Sequence, residues 1–133
     1  MNLKGNCTIS FIDSSLTMDE IHNILKITPT KIITKGQVIS EAINKNADSN
    51  KWMYKEVLNE GEEPSEVITR LLNQLQKENI QRITQTCNDA VIGLYLNSEY
   101  GQMGFELSTE NITILSELKI RLEVHILSLG KVD

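Results

Sequence analysis

Asn6-Cys7-Thr8-Ile9-Ser10-Phe11-Ile12 runs through Asp13-Ser14-Ser15-Leu16 into Thr17-Met18-Asp19-Glu20-Ile21. Two periodicities meet in this stretch. Cys7, Ile9 and Phe11 alternate with Thr8 and Ser10, the period of a half-buried strand. Thr17 with Glu20 three residues later forms a capping box, each side chain satisfying a free backbone N–H at a helix start. Ile21, Ile24 and Leu25 follow at helical spacing. Thr28 ends the helix, because the residue before Pro29 is pushed out of the helical region.

Outward from this unit, Lys31 to Thr34 reads as a short strand closed by Lys35-Gly36. Residues 37–50 carry no period, and Asn44 to Asn50 read as a long polar loop. Trp52 to Leu58 reads as a strand with Trp52 and Tyr54 on one face. Asn59-Glu60-Gly61-Glu62-Glu63 is an acidic turn, and Pro64 suits the first turn of a helix, where its missing N–H costs nothing. Val67, Ile68, Leu71, Leu72 and Leu75 form one apolar stripe, which predicts a helix from Pro64 to about Lys77. Ile80 and Ile83 add one short helical turn started by Asn79.

The apolar run Ala90 to Asn97 predicts a central strand. A turn at Tyr100-Gly101-Gln102 and a strand at Met103 to Leu107 complete a hairpin. Ser108 caps a third helix with Ile112, Leu115 and Leu118 inward. Ile120, Leu122, Val124 and Ile126 then alternate with Arg121, Glu123 and His125 in a final half-buried strand. The order β-α-β-β-α-β-β-α-β predicts an α+β fold, a mostly antiparallel sheet with helices on one face. Leu25-Lys26-Ile27 is echoed by Leu118-Lys119-Ile120, which suggests two ferredoxin-like halves or the shared grammar of βα units.

The chain has 133 residues, 40% apolar and 23% charged, which fits one folded domain, 1–133, that buries about two-thirds of its unfolded surface. Aromatic residues make up only 5%, so Ile, Leu and Val must fill the core. A net charge of −5 disfavours nucleic acid, whose binding rests on Lys and Arg neutralising phosphates. The same charge suits either simple solubility or a basic protein partner. Met1-Asn2-Leu3-Lys4 opens no charged-then-apolar leader, and no apolar run reaches a membrane span, so the expected location is the cytoplasm.

Catalytic patterns do not emerge. His22 and His125 stand far apart in sequence with no Cys-x-x-Cys or His-x-x-x-His, so no metal is expected. Cys7 and Cys87 lie in or beside apolar segments, as reduced small hydrophobes. No serine sits in a Gly-x-Ser-x-Gly turn. Gly101-Gln102-Met103-Gly104 falls in a hairpin rather than between strand and helix, where a phosphate cradle belongs. No cofactor is expected. Glu60, Glu62 and Glu63 read either as a solvated turn or as contacts for a basic partner. Trp52 reads as core or as a ligand platform. Tyr95, Tyr100 and Met103 read as core or as an interface anchor.

The run Leu25-Lys26-Ile27-Thr28-Pro29-Thr30, Lys35-Gly36, Lys51-Trp52, the helix of Leu71, Leu72 and Leu75, the segment Gly104-Phe105-Glu106-Leu107-Ser108 and the strand Leu122 to Leu127 resemble the bacterial domain of unknown function 4279 (DUF4279) family. The resemblance spans nearly the whole chain and brings no catalytic residue with it. It implies association with immunity proteins paired with secreted toxins. The expected function is therefore a non-catalytic, cytoplasmic protein-binding domain, an immunity protein that occludes a basic, nuclease-like cognate toxin, acting as monomer or homodimer. The expected partner-binding residues are Asp48, Glu60, Glu62, Glu63, Tyr100 and Met103. A small-molecule-sensing regulatory domain is the alternative, and an enzyme of unfamiliar type ranks third.

Overall fold

The alternating segment that opens the chain becomes the central strand of the sheet. The computed structural model describes residues 3–132; Met1, Asn2 and Asp133 lie outside the described residues, and the reading of Met1 and Asn2 as no leader falls there. In chain order the elements are β1 (Lys4–Ile12), α1 (Met18–Leu25), β2 (Lys31–Ile33), β3 (Val38–Ser40), β4 (Lys45–Asn46), β5 (Lys51–Val57), α2 (Pro64–Leu75), α3 (Lys77–Thr84), β6 (Asp89–Tyr100), α4 (Thr109–Glu117) and β7 (Arg121–Lys131). The fold is α+β: a mixed five-stranded sheet ordered β2-β5-β1-β6-β7, with β3 and β4 pairing separately.

Strands β2, β5, β1 and β6 are joined by antiparallel pairings only, and with α1 and α2 they form one split β-α-β-β-α-β unit, the ferredoxin-like arrangement. A single unit is present rather than two halves. The rest of the chain adds the β3–β4 hairpin, α3, and α4 with β7. The expected second hairpin does not form: β6 runs on to Tyr100, and residues 101–108 hold no strand. Both edges of β6 are already occupied, by β1 and by β7. Met103, Phe105 and Leu107 alternate because every second side chain of this extended segment packs on the core, without a ladder. The long connection through α4 lets β7 return parallel to β6, which a tight turn would forbid.

Register decides which face is core. Phe11 lies opposite Trp52 and Ala90, Ile9 opposite Tyr54 and Ile92, and Cys7 opposite Glu56 and Leu94. This face packs on the helices, and Val67, Ile68, Leu71 and Leu75 of α2 press on it fully buried. Each such side chain contributes roughly 1.5–3 kcal/mol by leaving water. The other face carries Asn6, Thr8, Ser10, Met53, Lys55, Gly93 and Tyr95, of which Thr8 and Ser10 are buried.

Local chemistry sets the helix ends. Thr17 and Glu20 form the capping box as expected. Helix α1 stops before Pro29 because Lys26 turns left-handed, φ 56°, and donates its N–H to His22 O at 2.7 Å. Gln76, φ 68°, breaks the chain between α2 and α3. The expected single turn after it is a full helix, with Ile80 and Ile83 buried. β4 falls inside the loop expected from Asn44 to Asn50, and residues 37–50, which carry no period, hold the β3–β4 hairpin. Its apolar residues Val38, Ile39 and Ile43 are exposed, so no buried face imposed a period on the sequence. In α4, Ser108 caps as expected, but Ile112 points outward and Asn111 takes the buried position. Leu115 and Leu118 face the core as expected. On β7 the burial fades along the strand: Leu122 packs on the core, but Val124 and Ile126 are exposed. No described helix is long and apolar enough to cross a membrane.

Candidate functional site

The acidic turn and the first turns of α2 carry a dense cluster of polar contacts. Gly61, φ 76°, makes the turn, and Asn59 N–H donates to Glu62 Oε1 at 3.0 Å. Glu63 N–H donates to Glu66 Oε1 at 3.1 Å, which satisfies a free donor at the start of α2. Arg70, two turns along, reaches back toward this turn. Its Nε donates to Glu62 Oε2 at 3.1 Å, and Nη2 donates to Glu62 Oε1 at 3.0 Å and to Val57 O at 2.6 Å. Nη1 pairs with Glu56. Tyr54 O–H in turn donates to Glu56 Oε1 at 2.6 Å. One planar fork thus ties α2, the turn and the end of β5 together.

The electrostatics follow. The hydrogen bond from Arg70 holds the Glu62 carboxyl below its ordinary value, and the same bond raises Arg70. Burial first, then the bond to Glu56, pushes the Tyr54 hydroxyl up to about 12. Burial pushes the nearby Cys7 thiol up to about 12, so it stays a neutral, unreactive S–H. Cys87 is half-buried, raised mainly by burial, and unpaired with Cys7.

Arg70→Met should therefore cost about 2–4 kcal/mol at pH 7, because it strands two carboxylates that are 15% and 12% exposed. The sign with pH is definite. The folded pKa of Glu62 lies below the ordinary 4.5, so its stabilising share is complete above that value and is lost as pH falls through the lowered one. Urea unfolding at pH 7 and at pH 3 should show the gap between wild type and R70M shrinking in acid. An equal gap at both pH values would refute the clamp.

Beside the clamp runs an open groove. One lobe, about 790 Å³, lies along α2 between Glu62, Glu66, Thr69 and Asn73. A second, about 550 Å³, lies between Glu63, Glu66 and the segment Gly104-Phe105-Glu106. Ser65 and Ser108 belong to both. They are stitched together: Ser108 N–H donates to Ser65 Oγ at 2.9 Å, and Asn111 Nδ2 donates to Ser65 Oγ at 2.8 Å and Ser65 O at 2.9 Å. This network explains why Asn111, not Ile112, is buried. Glu62, Glu63, Glu66 and Glu106 border the groove, and its single guanidinium, Arg70, is held by Glu56 and Glu62. The groove therefore presents uncompensated negative charge.

The expected contact residues divide. Glu60 and Glu63 are exposed at this end of the sheet, while Glu62 is locked on Arg70. Tyr100 closes β6 at the same end, because β6 and β5 both run antiparallel to β1. Met103 packs on the core, half-buried. Asp48 lies before β5 and the acidic turn after it, about 20 Å apart along a seven-residue strand. Tyr95 is separate from Met103, on the face of the sheet opposite the core, stacked on His125 at 4.8 Å. Trp52 is core, fully buried. His22 is exposed on α1, and among the described residues no group of three or more His, Cys, Asp or Glu is placed to hold a metal. Sequence reasoning missed Glu66, Glu106, Phe105 and Arg70. Glu66 at the third position of a Pro-led helix was the one readable signal.

No curated protein and no solved structure matches the chain. A family model described as "Domain of unknown function (DUF4279)" matches residues 2–129. That match spans nearly all of the sequence, and the chain belongs to the DUF4279 family.

Proposed function

We propose that this chain is a non-catalytic protein-binding domain whose acidic groove docks a basic protein partner. Its most concrete form is a cytoplasmic immunity protein that occludes a cognate, nuclease-like toxin. The observation that carries the reading is the two-lobed groove, bordered along α2 by Glu62 and Glu66 and beside residues 104–106 by Glu63, Glu66 and Glu106, with its lining guanidinium, Arg70, held internally. Such a surface attracts a basic partner at long range and orients it on approach. Phe105 supplies an apolar wall at which that partner can be desolvated.

The test is co-expression with the product of the neighbouring open reading frame, followed by binding kinetics. Glu63→Lys with Glu66→Lys and Glu106→Lys should slow association at least tenfold at low salt, and added salt should slow the wild type toward the variant. Unchanged association, or no adjacent product that binds, overturns the reading. A small-molecule-sensing domain would need room between helices and sheet. That space is filled by Trp52, Phe11, Ile9, Ile68, Leu71 and Ile92, which favours the protein-binding reading.

A further inference from the structure

We propose that β7 is a self-association edge, on which a second copy of this chain pairs antiparallel to build a continuous ten-stranded sheet. The inference is independent of the acidic groove.

The two edges of the sheet differ. Edge strand β2 is three residues long, begins with Lys31 and follows Pro29, all features that discourage strand addition. Edge strand β7 is eleven residues long and holds no proline, and it keeps regular register with β6 from Arg121 to Ser128 before a register shift that ends at Lys131. No strand pairs with its outer side among the described residues, which leaves alternate N–H and C=O groups free. Exposed large apolar residues concentrate here: Val124 41%, Ile126 51%, Leu127 61% and Leu129 65%. They occupy both faces of the strand, so a helix laid on one face would leave half of them in water. A strand added edge to edge along residues 121–127 covers Val124 and Ile126 on one face and Leu127 on the other, and Leu129 lies beyond it.

Self-complementarity selects the occupant and the register. A two-fold axis at Val124 sets Leu122 opposite the partner's Ile126 and Glu123 opposite the partner's His125. Leu127 then lies over the aliphatic stem of the partner's Arg121. An axis at Ile126 would oppose Arg121 to the partner's Lys131, a repulsive pair, and an axis farther along would have to pair through the irregular stretch between Ser128 and Lys131. Seven residues of each copy, Arg121 to Leu127, pair in this register, a small interface of the weak, concentration-dependent kind.

Sedimentation equilibrium from about 5 to 500 μM should show a monomer–dimer equilibrium with Kd in the micromolar range. Ile126→Lys, a change at an exposed site, should shift it at least tenfold toward monomer. In a Cys87→Ser background, Val124→Cys should oxidise to a covalent dimer, while Ile39→Cys on the β3–β4 hairpin should not. The crosslink decides the case even if I126K folds poorly. A chain that stays monomeric at 500 μM, or a dimer that ignores I126K and fails to crosslink at position 124, overturns the proposal.

Discussion

Replacing Trp52 with alanine is expected to remove about 4 kcal/mol of stability and lower Tm by roughly 10–20 °C. The residue is fully buried and lies against Phe11 at a ring separation of 5.7 Å and Tyr54 at 6.4 Å. It faces Phe11 on one strand and Ile32 on the other, so its loss opens a cavity that two neighbouring strands border. Phe11 is itself packed in the core and the Tyr54 hydroxyl is tied to Glu56 at 2.6 Å, so neither ring swings in to refill it. Trp52→Phe should cost less than half as much. Its indole Nε1 is buried without a hydrogen-bond partner among the described residues, a standing penalty of about 1–3 kcal/mol that phenylalanine removes. Trp52 is the one tryptophan, so unfolding is followed by far-UV circular dichroism in all three proteins. A loss below 1.5 kcal/mol for W52A, or an equal loss for W52F, contradicts this account of the core.

Gly5→Ala is expected to cost about 3 kcal/mol or more, for a reason unrelated to hydrophobicity. Gly5 sits in β1 at φ +142°, a conformation that L side chains rarely adopt. A Cβ there would stand 1.7 Å from the carbonyl oxygen of Tyr95, which is backbone of the paired strand β6. The strand cannot step aside, because Gly5 also lies opposite Leu96 and accepts a hydrogen bond from Leu58 N–H at 2.9 Å. Relief requires breaking the β1–β6 ladder at its end. Gly36→Ala is the control: its φ is also positive, +89°, but nothing lies within 4 Å of an added Cβ, so only about 1–2 kcal/mol of backbone strain is expected. Denaturant unfolding of the two variants separates steric collision from strain. Equal losses would show that the close approach to β6 is not what holds glycine at position 5.

Much of the fold was legible where a segment has one buried face. The alternation of Cys7, Ile9 and Phe11 and the stripe from Val67 to Leu75 each state which side meets the core, and both elements formed as read. Thr17 with Glu20, Ser108 and Pro64 marked helix starts, because cap chemistry is settled within a single turn. Segments without a buried face were illegible. The β3–β4 hairpin buries none of its large apolar residues, and Met103 to Leu107 alternates without pairing. Periodicity reports burial, and ladder formation is a separate event. The candidate site was half readable. The acidic turn stood out as a run of charges, but its distinction between Glu62, locked by Arg70, and Glu63, left free, depends on a helix folding back over a strand end.

What the sequence determined by itself was local: element type wherever apolar residues recur at period two or 3.6, the helix caps, the α+β class and the acidic balance. The tertiary structure alone decided which strands are neighbours, that β7 returns parallel to β6, that one ferredoxin-like unit rather than two is built, and which carboxylates Arg70 neutralises. The physical reason is range. Caps and periodicity act over a few residues. Pairing β1 with β6, or Asn111 with Ser65, joins residues far apart along the chain, and their partners are chosen only when the whole core closes.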